Sequence, residues 1–205
     1  MNHVREAYTS IAAIYIDLFG AEDKVHPDDL SLIARHLAAH PGPPSHPAPP
    51  GPVLDLGCGP GHITGFLRSL GAAAIGFDLV PEFIEHARAT HPDGDYRLGS
   101  LTDLPFADGS VSGILSWYSM IHMPPPDVDD VFSTFRRLLA PGGTLVIGFF
   151  TAAEIGAFDH KVTTAYRWPP DELSARLRAA GFTETERLLR DTDGTHRPHG
   201  AIAAT

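Results

Sequence analysis

Three glycines and two aspartates, at the ends of two strand-like segments, carry the strongest chemical signal in this chain. The segment VLDLGCGPGHIT places Asp55 near the end of an apolar run and then alternates Gly57, Gly59 and Gly61. Glycines in this pattern permit a tight turn and let a ligand contact the main chain, because no Cβ stands in the way. The next strand-like segment, AAAIGFD, ends at Asp78. Because ligands of parallel sheets bind at the carboxyl ends of the strands, we expect Asp78 to lie close to the glycines.

The spacing of these residues distinguishes between two kinds of ligand. A dinucleotide-binding G-x-G-x-x-G pattern would need glycine at the position that His62 occupies. Asp55 would repel a pyrophosphate but attract an ammonium group, and Asp78 is suited to accept hydrogen bonds from two ribose hydroxyls. S-adenosylmethionine (SAM) has a ribose and an ammonium group but no phosphate. The two acids therefore favour SAM as the cofactor, with S-adenosylhomocysteine (SAH) as its product.

The elements that must position these residues follow from the alternation of patterns after Val53. Apolar strand-like segments (VLDL, AAAIGFD, VSGILSW and TLVIGFF) alternate with helical segments (GHITGFLRSLG, PEFIEHARATH, DVDDVFSTFRRLLAPGG and PPDELSARLRAAGF). Strands that are apolar along their whole length are typical of parallel sheets covered on both faces. The sequence predicts an α/β fold with a doubly wound, mostly parallel sheet.

The part of the chain before Val53 has a different composition. Residues 4–19 and 28–40 have apolar positions near helical spacing, which predicts two amphipathic helices. Residues 41–52 (PGPPSHPAPPGP) contain too much proline for either helix or sheet, which predicts a stiff, extended connector.

Four segments resemble, in order and spacing, the successive motifs of the class I SAM-dependent methyltransferases. They are VLDLGCGPGHIT, AIGFDLVPEFIEHAR, YRLGSLTDLPFADGSVSGILSWYSMIH and LAPGGTLVIGFF. The sequence is most similar to small bacterial members with a Tyr-rich first helix and an LPF-x-DGS segment. The resemblance covers most of residues 4–190 and implies a Rossmann-like methyltransferase fold with an N-terminal helical lid. It divides the chain into a lid (1–40), the connector (41–52) and a SAM-binding core (53–205), forming a single domain overall.

Carried over position by position, the resemblance implies a set of cofactor contacts. Those to the methionine portion and the ribose are Asp55, the backbone of Gly57, Cys58, Gly59 and Gly61, and Asp78.

Further contacts are implied for the adenine, the sulfonium and the lid. Leu79, Ser100 and Leu101 would face the adenine, Ser116 and Trp117 would flank the sulfonium, and Tyr8 and Tyr15 would form the lid. Ser100 stands where many relatives have an aspartate, so a hydroxyl would replace a carboxylate beside the adenine amine.

Two histidines are candidates for a general base, which methyl transfer needs only when the acceptor must lose a proton. His122 follows the fourth core strand, and His160 lies in TAAEIGAFDHKVTTAYRW, which we expect to be a long irregular connection that contacts substrate. Of the two, the sequence favours His160, because its loop has no other evident reason to be long. The pairs His36/His40 and His196/His199 lack the other ligands of a metal site, and no metal is expected.

Composition narrows the class of partner. The formal net charge is −10, with no cluster of Lys or Arg, so the electrostatic footprint of a nucleic-acid or anionic-membrane partner is lacking. The single cysteine forms no internal disulfide, and no signal peptide or membrane-spanning run is evident, so we expect a cytoplasmic protein.

The expected acceptor is a small molecule, because the segment Ser116-Trp117-Tyr118-Ser119 lacks the Pro-Pro-aromatic pattern of enzymes that methylate bases. Aromatic and apolar residues expected near the mouth favour an apolar or aromatic acceptor; they are Trp117, Tyr118, Met120, Phe158, Tyr166 and Trp168. Two alternatives stay open: a SAM-binding sensor or partner subunit that does not methylate, and an NAD(P)-dependent oxidoreductase. The sequence leaves the acceptor, the methylated atom and the oligomeric state undetermined.

Overall fold

A computed structural model describes residues 2–39, 49, 51–192 and 197–205. Within these ranges nine strands form one sheet, in the order β3-β2-β1-β4-β5-β7-β6, with β9 pairing with β5 and β8 pairing with β9. The strands are β1 (Val53–Leu56), β2 (Ala74–Asp78), β3 (Asp95–Leu98), β4 (Val111–Trp117), β5 (Leu139–Thr151), β6 (Gly156–Phe158), β7 (Ala165–Trp168), β8 (Glu184–Arg190) and β9 (His199–Ala204).

The helices lie before and between these strands. They are α1 (Asn2–Ser10), α2 (Ala12–Phe19), α3 (Pro27–Leu37), α4 (His62–Ser69), α5 (Pro81–Thr90), α6 (Val128–Leu138) and α7 (Pro170–Ala179). Among the described residues, none of the helices is both long and apolar enough to cross a bilayer.

The strands β1 to β5 are parallel, as the sequence predicted. Alternate residues of the central strands contribute to two cores on opposite faces of the sheet. Ile114 and Leu145 pack with Phe132 of α6 on one face, whereas Leu115 packs with Leu32 of α3 on the other. Burial on both faces explains why these strands are continuously apolar in sequence. The predicted α/β class is confirmed.

Two predicted segments differ from the structure. The helix expected over residues 4–19 is divided into α1 and α2 at Ile11, whose φ of −122° and ψ of 11° interrupt the helical turn. The stretch containing His160 is not an irregular connection, because β6 and β7 form an antiparallel hairpin within it. Strands as short as the three-residue β6 give too few alternations to be recognised from sequence.

The β6–β7 hairpin extends the sheet above the carboxyl end of β4. Phe150 of β5 is paired with Arg167 of β7 on one edge and with His199 of β9 on the other. β4 pairs with β5 up to Gly148, so β7 continues along the same edge of β5 just beyond β4. The amide of Tyr166 donates a hydrogen bond to the carbonyl of Ile121 (2.7 Å), which fastens the hairpin to the segment after β4.

Most of the proline-rich connector, together with His40 and His196, lies outside the described residues. The organisation of residues 41–52 as a stiff spacer therefore stays a prediction from composition.

Candidate cofactor and acceptor site

The three glycines after β1 all have the left-handed backbone conformation that favours glycine, but they have different roles. Gly57, Gly59 and Gly61 have φ of +78°, +54° and +89°. A Cβ on Gly57 would lie 2.3 Å from the Cβ of Ser119, and one on Gly61 would lie 2.6 Å from the Cβ of Ala87. These two glycines are required for packing.

Gly59 is the glycine that faces open space. A Cβ there would meet only the ring of Tyr15, at 4.0 Å, so its backbone is accessible between the loop and α2. This geometry fits a ligand lying against the main chain of the loop.

Asp78, at the carboxyl end of β2, joins the glycine loop to the start of α5. Its Oδ2 accepts a hydrogen bond from the amide of Gly59 (2.8 Å), and its Oδ1 accepts one from the amide of Val80 (2.9 Å). A carboxylate has about four lone-pair positions, so the backbone amides do not use all of them and a further donor such as a hydroxyl can bind. Burial raises the pKa of Asp78 to about 6, although these backbone hydrogen bonds favour its ionised form.

Asp55 lies beneath the loop and is only 1% exposed. Its Oδ2 accepts a hydrogen bond from the hydroxyl of Thr64 on α4, at 2.6 Å. Burial raises the pKa of Asp55 to about 7, and the negative charge of Asp78 adds to the shift. Two neighbouring acids with raised pKa values form a site that is stabilised by a cation.

Tyr8 of α1 and Tyr15 of α2 close over this part of the molecule. Their rings meet edge to face with centroids 5.4 Å apart, and both contact Phe83 of α5. Burial and the nearby charge of Asp78 raise the pKa of Tyr15 to about 12 and also raise that of Tyr8. Both phenols therefore remain neutral.

His122 is the polar group that meets Tyr8 from the opposite side. Its Nε2 lies 2.9 Å from the Tyr8 hydroxyl, and its Nδ1 lies 2.7 Å from the carbonyl oxygen of Thr164. A carbonyl oxygen only accepts hydrogen bonds, so Nδ1 carries the proton and Nε2 accepts the hydrogen bond from Tyr8. Burial lowers the pKa of His122, which keeps the ring neutral.

From His122 a series of ring contacts, which we call the ring series, extends away from the glycine loop. The ring of His122 lies 5.4 Å from that of His160, which in turn lies 5.9 Å from Phe150 and 6.0 Å from Phe158. Phe150 also contacts Tyr118, at 5.0 Å. Desolvation, with smaller contributions from neighbouring positive charge, lowers the pKa of His160 to about 4.

The predicted adenine residues lie on the turn that follows β3. The Ser100 hydroxyl is 2.8 Å from that of Thr102 and accepts a hydrogen bond from the Thr102 amide, so it caps its own turn. Leu101 is buried in the core beside α6, whereas Leu79 is half-buried and Asp103 is exposed.

The residues predicted to flank the sulfonium lie on different surfaces. Ser116 is buried, and its hydroxyl is 2.7 Å from that of Ser119, which packs against Gly57. Trp117 points to the other face of β4 and packs with the core that contains α3. Cys58 is buried, and burial raises the pKa of its thiol, so it contributes backbone rather than chemistry.

Among the acceptor-side aromatics, Tyr118 and Phe158 belong to the ring series, but Trp168 is 3% exposed within the core against α7. Tyr118 also has a positive φ of +53°, which is strained for a non-glycine residue and is frequent at functional sites. No sequence pattern predicts a positive φ at this tyrosine.

Metal binding finds no support among the described residues, where no group of three or more His, Cys, Asp or Glu side chains could hold an ion. His36 instead lies 2.7 Å from the carboxylate of Glu186, which also binds Arg35.

Comparison with known proteins supports the family that the sequence resembles. A family model described as a methyltransferase domain matches residues 53–143, the segment that contains the glycine loop, Asp78 and β4. An uncharacterized methyltransferase of a Synechocystis species is 29% identical, over 83% of this chain and 79% of its own length. The chain is a SAM-dependent methyltransferase, and these matches support its placement in class I.

Two further proteins match nearly the whole length of this chain. A ubiquinone biosynthesis O-methyltransferase of Xanthomonas campestris is 29% identical, over 92% of this chain and 82% of its own length. The Burkholderia thailandensis 1,6-didemethyltoxoflavin-N1-methyltransferase, solved with its substrate and SAH, has a TM-score of 0.79 at 19% identity and covers 99% of this chain and 87% of its own. That likeness concerns the fold. Family membership also decides against the oxidoreductase alternative, and SAM is the cofactor of this methyltransferase.

Replacing Asp78 by alanine should weaken SAH binding while the α/β core still folds. The substitution removes the carboxylate that we expect to bind the ribose diol, a contact worth about 1.5–3 kcal/mol or roughly tenfold to a hundredfold in affinity, and it also removes the acceptor of the Gly59 and Val80 amides. Isothermal titration calorimetry measures the change. The matched control is Asp103→Ala, because Asp103 is exposed on the turn beside the predicted adenine position. Equal losses in the two variants would contradict the assignment of Asp78 to the ribose.

The affinity for SAH should rise from about pH 5 to about pH 7.5. The pKa values of Asp55 and Asp78 are raised to about 7 and about 6, so the cofactor-free protein retains protons that its unfolded chain releases. These two groups therefore make the free protein less stable as the pH rises through this window. A bound ammonium and diol favour the ionised carboxylates, so binding releases protons. Calorimetry in buffers of different ionisation enthalpy measures the release, and affinity that falls with rising pH would contradict the assignment.

Proposed function

We propose that this methyltransferase transfers the methyl group of SAM to a small-molecule acceptor with an apolar or aromatic body. The observation that carries the proposal is the ring series, which runs from His122, beside Tyr8, to Phe158 of the β6–β7 hairpin. An apolar lining with a few placed polar groups is typical of small-molecule sites.

The net charge and the relatives support the same class of acceptor. A chain with a formal net charge of −10 offers little electrostatic attraction to nucleic acid or to an anionic membrane. The names of two relatives refer to ubiquinone biosynthesis and to 1,6-didemethyltoxoflavin.

We assign the cofactor contacts as follows. Asp55 and the loop of Gly57, Cys58, Gly59 and Gly61 bind the methionine portion, Asp78 binds the ribose, and Leu79, Ser100 and Leu101 bind the adenine. Ser116 lies nearest the sulfonium, and α1 and α2 form a lid through Tyr8 and Tyr15. The open backbone of Gly59 beside Asp78 supports this arrangement.

His122 is the better-placed base of the two candidates. Its Nε2 lone pair is directed at the Tyr8 hydroxyl, and its Nδ1 proton is held by the Thr164 carbonyl. His160 has the opposite tautomer, because its Nδ1 faces the amide of Val162 at 3.4 Å and its proton is then on Nε2. His160 therefore offers the acceptor a donor.

When bound, SAM supplies a methyl group already activated by the positive sulfonium. The chain orients the acceptor against the ring series and excludes water beneath Tyr8 and Tyr15. As the acceptor hydroxyl, thiol or amine loses its proton, the Tyr8 oxygen takes that proton and Tyr8 passes its own to Nε2 of His122. The imidazolium formed is balanced by the loss of the sulfonium charge, so the net charge of the site is unchanged.

The acceptor class is tested by incubating the protein with methyl-tritiated SAM and four substrate panels: aromatic small molecules, aliphatic small molecules, RNA and protein. We expect label in the aromatic panel, because the ring series offers its members an aromatic surface to pack against. Transfer confined to RNA or to protein would overturn the proposal. Heat-denatured protein supplies the background.

His122→Ala should reduce kcat with that acceptor by roughly 10²–10⁴-fold and leave SAH affinity nearly unchanged. In the wild type, the acid limb of the pH–rate profile should lie below the ordinary histidine pKa of about 6.5, because burial lowers the pKa of His122. That limb should be absent from the variant. His160→Ala serves as the comparison and should act mainly on acceptor KM. A full kcat and an unchanged pH profile in His122→Ala would contradict its role as the base.

A further inference from the structure

Two arginines stand over one aromatic ring at the outer end of the ring series. The guanidinium carbon of Arg167, on β7, is 4.3 Å from the ring centroid of Phe158, and that of Arg197 is 5.1 Å from it. Arg197 also lies 6.0 Å from the centroid of Phe150. A guanidinium group held against an aromatic face keeps its N–H groups available in its own plane.

In the part of the chain that the structure describes, these two arginines lack the carboxylate partners that other arginines have. Arg137 binds Asp108, and Arg187 binds both Glu184 and Asp171. Within the described ranges, by contrast, no carboxylate lies within 4.0 Å of either Arg167 or Arg197.

The Nε atom of Arg167 is a second indication that a hydrogen-bond acceptor is missing here. This atom is buried and has no hydrogen-bond partner among the described residues. Buried N–H groups are nearly always paired in native proteins, so an unpaired one beside a candidate site needs an explanation. An acceptor supplied by a bound ligand would provide it.

Positive charge is concentrated here although the chain as a whole is acidic. Arg197 and Lys161 both act electrostatically on His160, and Asp159 is the acid that opposes them. The sheet register sets Gly156 directly beside Arg167, and a Cβ on Gly156 would meet nothing within 4 Å. The space over Gly156, next to the backbone of Arg167 in the hairpin, is therefore open.

We propose that the acceptor carries a carboxylate that binds to Arg167 and Arg197 beside Phe158, at the end of the site opposite the reacting atom. The planar fork of a guanidinium matches the two oxygens of a carboxylate. His160 lies one ring contact from Phe158, and His122 lies one further. We expect an aromatic acid with its nucleophilic atom at the far end of the ring from the carboxylate to lie along this series of rings. The inference rests on the proposed small-molecule function and narrows it.

The test compares acids with their neutral isosteres on the SAH-saturated protein. The probes are 4-hydroxybenzoate and cinnamate against 4-hydroxybenzamide and cinnamamide, and titration calorimetry measures their affinities. Of the two acids, the one with the higher affinity should bind at least about tenfold more strongly than its own amide. The double variant Arg167→Gln/Arg197→Gln should abolish that preference. Arg178→Gln, which alters an exposed arginine of α7, should retain it.

SAH affinity, measured on every variant, shows that the fold and the cofactor site are intact. Equal binding of acid and amide by the wild type, no binding of either, or a preference that survives in the double variant would overturn the carboxylate site. The small-molecule function fails separately. If the acid preference is present and depends on the arginines while labelled methyl is transferred only to RNA or protein, the anion site stands and the acceptor class is wrong.

Discussion

The hydrogen bonds of one carboxylate hold the cofactor side of this molecule together. Asp78 is the last residue of β2, and its two oxygens bind the amides of Gly59 and Val80. The first bond fixes the glycine loop after β1, and the second fixes the start of α5, which carries Phe83 beneath the tyrosines. The position of the lid, the shape of the loop and the direction of the remaining lone pairs therefore depend on the same side chain.

The electrostatics of the site follow from how its polar groups are buried. Burial raises the pKa values of the acids Asp55 and Asp78 and lowers those of the bases His122 and His160, so it favours the neutral form of all four groups. A nearby cation would stabilise the ionised form of the first pair, whereas burial keeps the second pair neutral at neutral pH. The pKa values are thus raised for the acids beside the glycine loop, where we expect the cofactor, and lowered for the histidines, where we expect the acceptor.

Much of the α/β core could be predicted from the sequence, because its signals are local. The apolar strands and the glycines at the end of β1 lie within a few residues of one another, and the resemblance to methyltransferases depends on the same segments. The β6–β7 hairpin could not be predicted, because its short strands are fixed by pairing with β5 and by contact with Ile121.

Which glycine is required for packing and which faces open space depends on contacts with residues far away in sequence, such as that of Gly57 with Ser119. The bond that sets the tautomer of His122 similarly joins residues 42 positions apart. Contacts of this kind leave no pattern in a single chain.

The hydrogen bond between Tyr8 and His122 has a kinetic consequence. Tyr8 belongs to the segment that covers the glycine loop, and His122 belongs to the segment after β4 that faces the acceptor. In the lid that we propose, a cofactor under α1 and α2 leaves when Tyr8 moves away, which also breaks its contact with the histidine. The proposed acceptor side is then complete only while the lid is closed. The proposal therefore implies a compulsory order, in which the cofactor enters first and its demethylated product departs last.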